Sequence, residues 1–206
     1  GEPYANLIIA GGIGSGKTCL LNHYLRNNDV AGTTVISLVC YEAEAKIEYR
    51  ILSLLTGKML KALKIGTAAL PESYRRILLY FFPFMFNGGA QGEAPRIDKA
   101  SLPLFELEDL FSELFGYLAA RGRRVLFIFS CHESWLGEYI KTFDKSVLQN
   151  IDIIELRNFE RGEVESIAAR SLKEPGAELV DSIYRESGGN PLYLFEIINN
   201  LKENKN

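Results

Sequence analysis

Residues Gly11-Gly12-Ile13-Gly14-Ser15-Gly16-Lys17-Thr18 fit the pattern G-x-x-x-x-G-K-[ST], and no other stretch of the chain restricts its fold so tightly. Glycines at these positions let the backbone curl until successive N–H groups face phosphate oxygens. Lys17 brings a positive charge to the β- and γ-phosphates, and the Thr18 hydroxyl is a ligand for Mg²⁺. The helix expected to open here turns its positive dipole end toward the anion.

The flanks have the composition this setting needs. Leu7-Ile8-Ile9-Ala10 is a short apolar run suited to a buried parallel strand. Leu20, Leu21, Tyr24 and Leu25 then recur at helical spacing, over an expected helix Lys17–Asn27. A strand–loop–helix of this kind assigns nucleotide contacts to Gly12, Ile13, Gly14, Ser15, Gly16, Lys17, Thr18 and Cys19. The ligand expected there is a nucleotide, Mg-ATP or ADP, with Thr18 on the metal. The bland alternative is a glycine-rich turn with no ligand.

The chain has 206 residues, 47% apolar and 24% charged, with a net charge of −3. That is the balance of a globular domain with ample core. It carries no global basic field, which argues against nucleic acid as the partner. No apolar run approaches the ~18 residues of a membrane span. Gly1-Glu2-Pro3 is neither a signal nor a transit peptide, and its closeness to the first strand points to a domain cut from a longer protein. Cys19, Cys40 and Cys131 lack metal-ligand spacing and read as reduced thiols of a cytoplasmic or otherwise intracellular protein.

Alternating patterns follow the loop. Thr33–Cys40 reads as a second buried strand and Ala43–Leu63 as a helix, together a βαβ crossover. The aromatic run Ile77–Phe86 fits either a strand broken at Pro83 or a helix ended by it. Asn87–Lys99 reads as a loop. Leu104–Leu118 carries a helical stripe, Val125–Phe129 and Ile151–Leu156 are strands, and a helix lies between them over Leu136–Val147. Three helices follow, about Arg161–Leu172, Ala177–Ser187 and Leu192–Lys202. The coarse expectation is an α/β core with an all-helical cap.

Near the C-terminus, Ser187-Gly188-Gly189-Asn190-Pro191-Leu192-Tyr193-Leu194 places Gly188-Gly189 at the end of one helix. Pro191 starts the next at N1, with Asn190 as its N-cap. Paired with the phosphate loop, this segment resembles the "GGNPLxL" or "GLPL" turn of the AAA+/STAND class of P-loop ATPases. Two softer similarities join it: Asn158–Val164 is similar to the turn between core and lid, and Phe129–Glu133 to the sensor strand end. The resemblance covers nearly all of the chain except Pro71–Ala100.

The resemblance implies a three-layer α/β/α P-loop core with a parallel sheet over residues 1–157, holding a poorly ordered insertion at about 87–100. A helical lid would occupy residues 158–206. It places Pro191 near the adenine and His132 as a sensor-like group, and it makes other protein domains or a second copy the partners.

Hydrolysis in that class needs an acid pair at the end of the third strand. No apolar strand here ends in Asp-Asp or Asp-Glu. Three accounts compete. Val125–Phe129 is that strand, with Ser130 and Cys131 where the acids belong and Glu133 nearby. Alternatively a short strand Leu104–Leu107 ends in Glu108-Asp109. In the third account Ile77–Phe86 is the strand and lacks acids. The expectation is a nucleotide-dependent switch or assembly module of a larger protein, with Lys17 at the phosphates and hydrolysis weak or absent. An active ATPase that remodels or loads a protein or nucleic-acid partner, using Glu133 or Asp109, is the alternative. A non-enzymatic interaction domain with a vestigial loop is the second. No Asn-Lys-x-Asp guanine signature supports a GTPase.

Overall fold

The computed structural model describes residues 4–27, 32–41, 43, 50–82, 85, 104–122, 124–137 and 151–203. The loop expected at Asn87–Lys99 and most of the helix expected at Leu136–Val147 lie outside these residues. Helices alternate with strands in an α/β fold: β1 (Tyr4–Gly11), α1 (Lys17–Asn27), β2 (Thr34–Val39), α2 (Arg50–Ala62), α3 (Glu72–Phe81), α4 (Leu104–Arg121), β3 (Val125–Cys131) and β4 (Ile151–Leu156). Three helices close the chain, α5 (Arg161–Ser171), α6 (Ala177–Ser187) and α7 (Pro191–Glu203).

The four strands form one parallel sheet in the order β2-β3-β1-β4. β2 and β3 run in register from Thr34 opposite Val125 to Val39 opposite Ser130. The ladder continues one step further, where the Cys40 N–H donates to the Ser130 carbonyl at 2.7 Å. Parallel neighbours that are distant in sequence require helical crossovers, which the intervening segments supply.

The chain groups into two compact units, one of Gly1–Ile8 with Asp29–Ile153 and one of Ile9–Asn28 with Ile154–Asn206. In the first, Ile36 and Leu38 of β2 and Phe127 and Phe129 of β3 are buried, as are Leu55 and Met59 of α2. α2 packs on β2 and on α4. The aromatic run is helical, not a strand: α3 ends at Phe81, with Phe82 capping it at φ −133°. Phe82 precedes Pro83, and a residue before proline is driven out of the α region. Leu78 and Phe82 are buried, and Phe82 and Phe111 have ring centroids 5.8 Å apart. Leu78 and Phe82 of the run are therefore core.

Leu104–Arg121 is one continuous helix, so no short strand ends in Glu108-Asp109. The apolar spacing along it, with Phe111, Leu114, Phe115 and Leu118 buried, is the physical reason. The strand alternatives are thus both corrected: Ile77–Phe81 lies in a helix, the other reading given for that run, and Leu104–Leu107 opens α4. β3 stands as the strand between β2 and β1, and it ends in Ser130 and Cys131, both buried.

The second unit joins the end of β1, the loop, α1 and the end of β4 to the C-terminal helices. Its core is Val164, Ala168 and Leu172 of α5 and its C-cap, Val180 and Ile183 of α6, and Leu194 and Ile198 of α7. Phe159 packs against this cluster from the turn after β4. α5 is started by Glu163, whose carboxylate accepts the Glu160 N–H at 2.8 Å and satisfies one of the helix's orphan donors. None of the residues of α1 is fully buried. Among the described residues, no helix is long and apolar enough to cross a membrane.

Candidate functional site

The loop between β1 and α1 is held by its carbonyls. The Lys17 ammonium donates to the Gly11 carbonyl at 2.7 Å and the Gly12 carbonyl at 2.8 Å. The Asn190 Nδ2 donates to the Ile13 carbonyl at 2.8 Å, and the Leu192 N–H to the Gly14 carbonyl at 3.2 Å. Four successive carbonyls therefore accept from side chains or backbone outside the loop's own turn. A trans peptide sets its N–H opposite its C=O, so fixing these carbonyls aims the amides of Gly12, Ile13 and Gly14 away from those donors. The Ser15 N–H closes the turn on the Gly12 carbonyl at 3.3 Å, and the Leu20 N–H opens α1 on the Gly16 carbonyl at 2.8 Å. The first N–H groups of α1 have no intrahelical partner, as at any helix start.

Gly14 is required here twice over. Its φ of +77° is a left-handed value, and a Cβ would lie 2.6 Å from the Asn190 Oδ1 and 2.9 Å from the Leu192 Cβ. The turn that approaches it is built on a second close contact. The Gly189 carbonyl accepts the Phe159 N–H at 2.8 Å, and a Cβ on Gly189 would overlap the Phe159 carbonyl. The Asn158 Nδ2 adds a bond to the Gly188 carbonyl at 3.1 Å. Asn190 is the N-cap expected from the sequence, its Oδ1 accepting the Leu192 N–H at 3.0 Å.

A cleft of about 580 Å³ opens beside the loop. Gly14 through Leu20 line one side, and Leu156, Arg157, Phe159, Pro191, Leu192 and Phe195 the other. Its size falls in the range of small-ligand sites, and its wall is largely apolar with two cations, Lys17 and Arg157. Arg157 is paired with both oxygens of Glu163 at 2.9 and 3.2 Å. That hydrogen bond, then the charge of Glu163, raises the guanidinium pKa above its ordinary value. The same bond, followed by the Glu160 N–H, holds the Glu163 carboxyl below the ordinary carboxylate range.

The donor set fits a phosphate ligand. The Ser15 hydroxyl is buried within the loop with no hydrogen-bond partner among the described residues. A buried hydroxyl left unpaired costs about 1–3 kcal/mol, which a ligand acceptor would offset. A Cβ on Gly16 would meet nothing within 4 Å, so space is open at that turn. Thr18 and Cys19 are exposed at the helix start. Among the described residues, no group of three or more His, Cys, Asp or Glu side chains is placed to hold a metal by itself.

Gly14 through Cys19 and Pro191 thus share one cleft, and Gly12 and Ile13 belong to the same tethered loop. His132, Glu133 and Asp109 belong to the first unit. His132 caps the short 3₁₀ turn Glu133–Trp135: its Nδ1 accepts the Ser134 N–H at 3.3 Å and lies 2.8 Å from the Ser134 Oγ. Glu133 and Asp109 are exposed. Among the described residues that line the cleft, none is a carboxylate. Reading the sequence left out Arg157, Phe159, Leu192 and Phe195 as cleft residues, and it assigned Asn190 only a capping role. A strand-end position was the available signal for Arg157. Comparison with protein-family models finds no family that matches this chain, and comparison with curated proteins finds no matching relative.

Proposed function

We propose that the second unit binds a nucleotide, Mg-ATP or ADP, and that the chain is a nucleotide-dependent switch or assembly module of the AAA+/STAND type with weak or absent hydrolysis. The observation that carries this reading is the loop whose four successive carbonyls accept from Lys17, Asn190 and Leu192, beside an open cleft and the orphaned Ser15 hydroxyl. In this reading the amides of Gly12 to Gly14 and of Gly16 to Thr18, with the Lys17 ammonium, hold the phosphates. Thr18 would hold Mg²⁺, which supplies neutralisation of phosphate charge when bound. Pro191, Leu192 and Phe195 offer the base and ribose an apolar wall.

Weak hydrolysis is supported by the end of β3, which carries Ser130 and Cys131 in place of an acid pair, and by the helical state of Glu108-Asp109. The reading places the chain inside the cell, with other protein domains or a second copy as its partners. The net charge of −3 fits a protein partner better than a nucleic acid.

Measuring retention of labelled ATP and ADP beside steady-state phosphate release tests the reading. Retention of both nucleotides with little phosphate release supports the switch. Rapid release abolished by Glu133→Gln or by Asp109→Asn would contradict the weak-hydrolysis part and identify the acid. A protein that retains neither nucleotide would contradict the binding claim.

A further inference from the structure

Asn190 uses the two ends of its amide for different jobs. The Oδ1 caps α7 through the Leu192 N–H, and the Nδ2 reaches the Ile13 carbonyl, 177 residues earlier in the chain. The reverse amide orientation would set oxygen against the carbonyl and nitrogen against an N–H, so the bonding partners fix the assignment. Serine, aspartate and asparagine are about equally good N-caps. Ionised aspartate has no donor and serine has one short hydroxyl for both jobs, whereas asparagine adds a separate N–H donor, which here meets the phosphate loop.

The contact continues beyond one bond. Leu192 donates to Gly14, while Gly188 and Gly189 accept from Asn158 and Phe159. Phe159 in turn packs on the core of α5–α7. A line of hydrogen bonds therefore runs from the loop through Asn190 to the turn after β4 and into the helical core. We infer that Asn190 is a positioning residue for the phosphate loop: docking of α7 orders Ile13 and Gly14, and the loop's ligand in turn steadies the start of α7. This rests on the nucleotide-binding reading for the ligand, but the positioning itself is a property of the protein alone. By linkage, whatever loosens α7 weakens phosphate binding by the same factor that phosphate tightens α7.

The test uses the full chain carrying Asn190→Ser, which keeps a cap oxygen and removes the amide donor to Ile13 without adding charge. Asn190→Asp is the second variant, retaining the carboxamide's shape. Hydrogen exchange over residues 11–20 without nucleotide is read beside titration with Mg-ADP. The expected result is faster loop exchange in both variants, an unchanged thermal midpoint for α5–α7, and affinity weakened about tenfold in Asn190→Ser. Nucleotide should also slow exchange at the Leu192 amide of the unaltered chain. Loop exchange and affinity unchanged within about twofold would overturn the inference. If the unaltered chain binds no nucleotide while the variants still speed loop exchange, the nucleotide reading falls and the positioning role stands. No binding with unchanged loop exchange would overturn both.

Discussion

Single residues in the loop and its partner turn are specified by contact as much as by dihedral angle. Gly14 faces the Asn190 amide and Leu192, so Gly14→Ala must displace the turn or the loop while holding a φ of +77°. A non-glycine residue at such a φ alone costs about 1–3 kcal/mol. The expected outcome is loss of nucleotide retention with the C-terminal helices still folded, read by circular dichroism alongside a binding assay. Gly189→Ala acts elsewhere, since its Cβ overlaps the Phe159 carbonyl at a buried position. It should lower the stability of the helical unit by about 2–4 kcal/mol in chemical denaturation. A cost near zero would mean that the turn relaxes without loss.

At the scale of elements, α5–α7 hold together by a small apolar core and by ion pairs at the start of α5. Leu194 is fully buried, and Leu194→Ala should cost about 2–5 kcal/mol by loss of contacts and a residual cavity. Glu163 gives the same helices a pH dependence. Its carboxyl is held low by Arg157 and by the Glu160 N–H, so the folded value lies below the unfolded one. The stability it contributes is present above the unfolded value and is lost as the pH falls through the folded one. Melting of the helical unit should therefore weaken on acidification below the ordinary carboxylate range, and Glu163→Gln should flatten that dependence. An unchanged pH profile in Glu163→Gln would remove the pair from the account.

Elements differed in how plainly their residues announced them. α1, α6 and β4 match the spans read from periodicity, α5 differs by one residue at its C-terminal end, and α7 by one residue at each end. Ile77–Phe86 was ambiguous because every position is apolar and a run without polar residues has no period to read. Pro83 resolves it only through its effect on Phe82, and the rings of Phe81, Phe82 and Phe111 supply the packing that a sequence cannot display.

Across the whole molecule, an α/β fold with a parallel sheet and helical C-terminal segment was legible in the alternation of patterns. The loop was legible too, since its glycines and lysine are adjacent in the chain. The rest of the candidate site was not, because it is assembled across sequence distance. Arg157, Phe159 and Phe195 reach the cleft from the turn after β4 and from α7, and no local pattern marks them as ligand contacts. Asn190 showed its capping role in the residues beside it, while its bond to Ile13 depends on how two distant turns meet.

The central claim is that this tethered loop, beside the turn at Pro191, grips a nucleotide. Calorimetric titration of Mg-ATP, ADP and GTP into the unaltered chain and into Lys17→Ala tests it most directly. Lys17 both orders two loop carbonyls and supplies the cation for phosphate, so its removal should weaken adenine-nucleotide binding by about a hundredfold, or about 2.7 kcal/mol. Saturable heat with ATP and ADP that disappears in Lys17→Ala is the predicted result. No heat with any nucleotide, or equal heat in the two proteins, would contradict it.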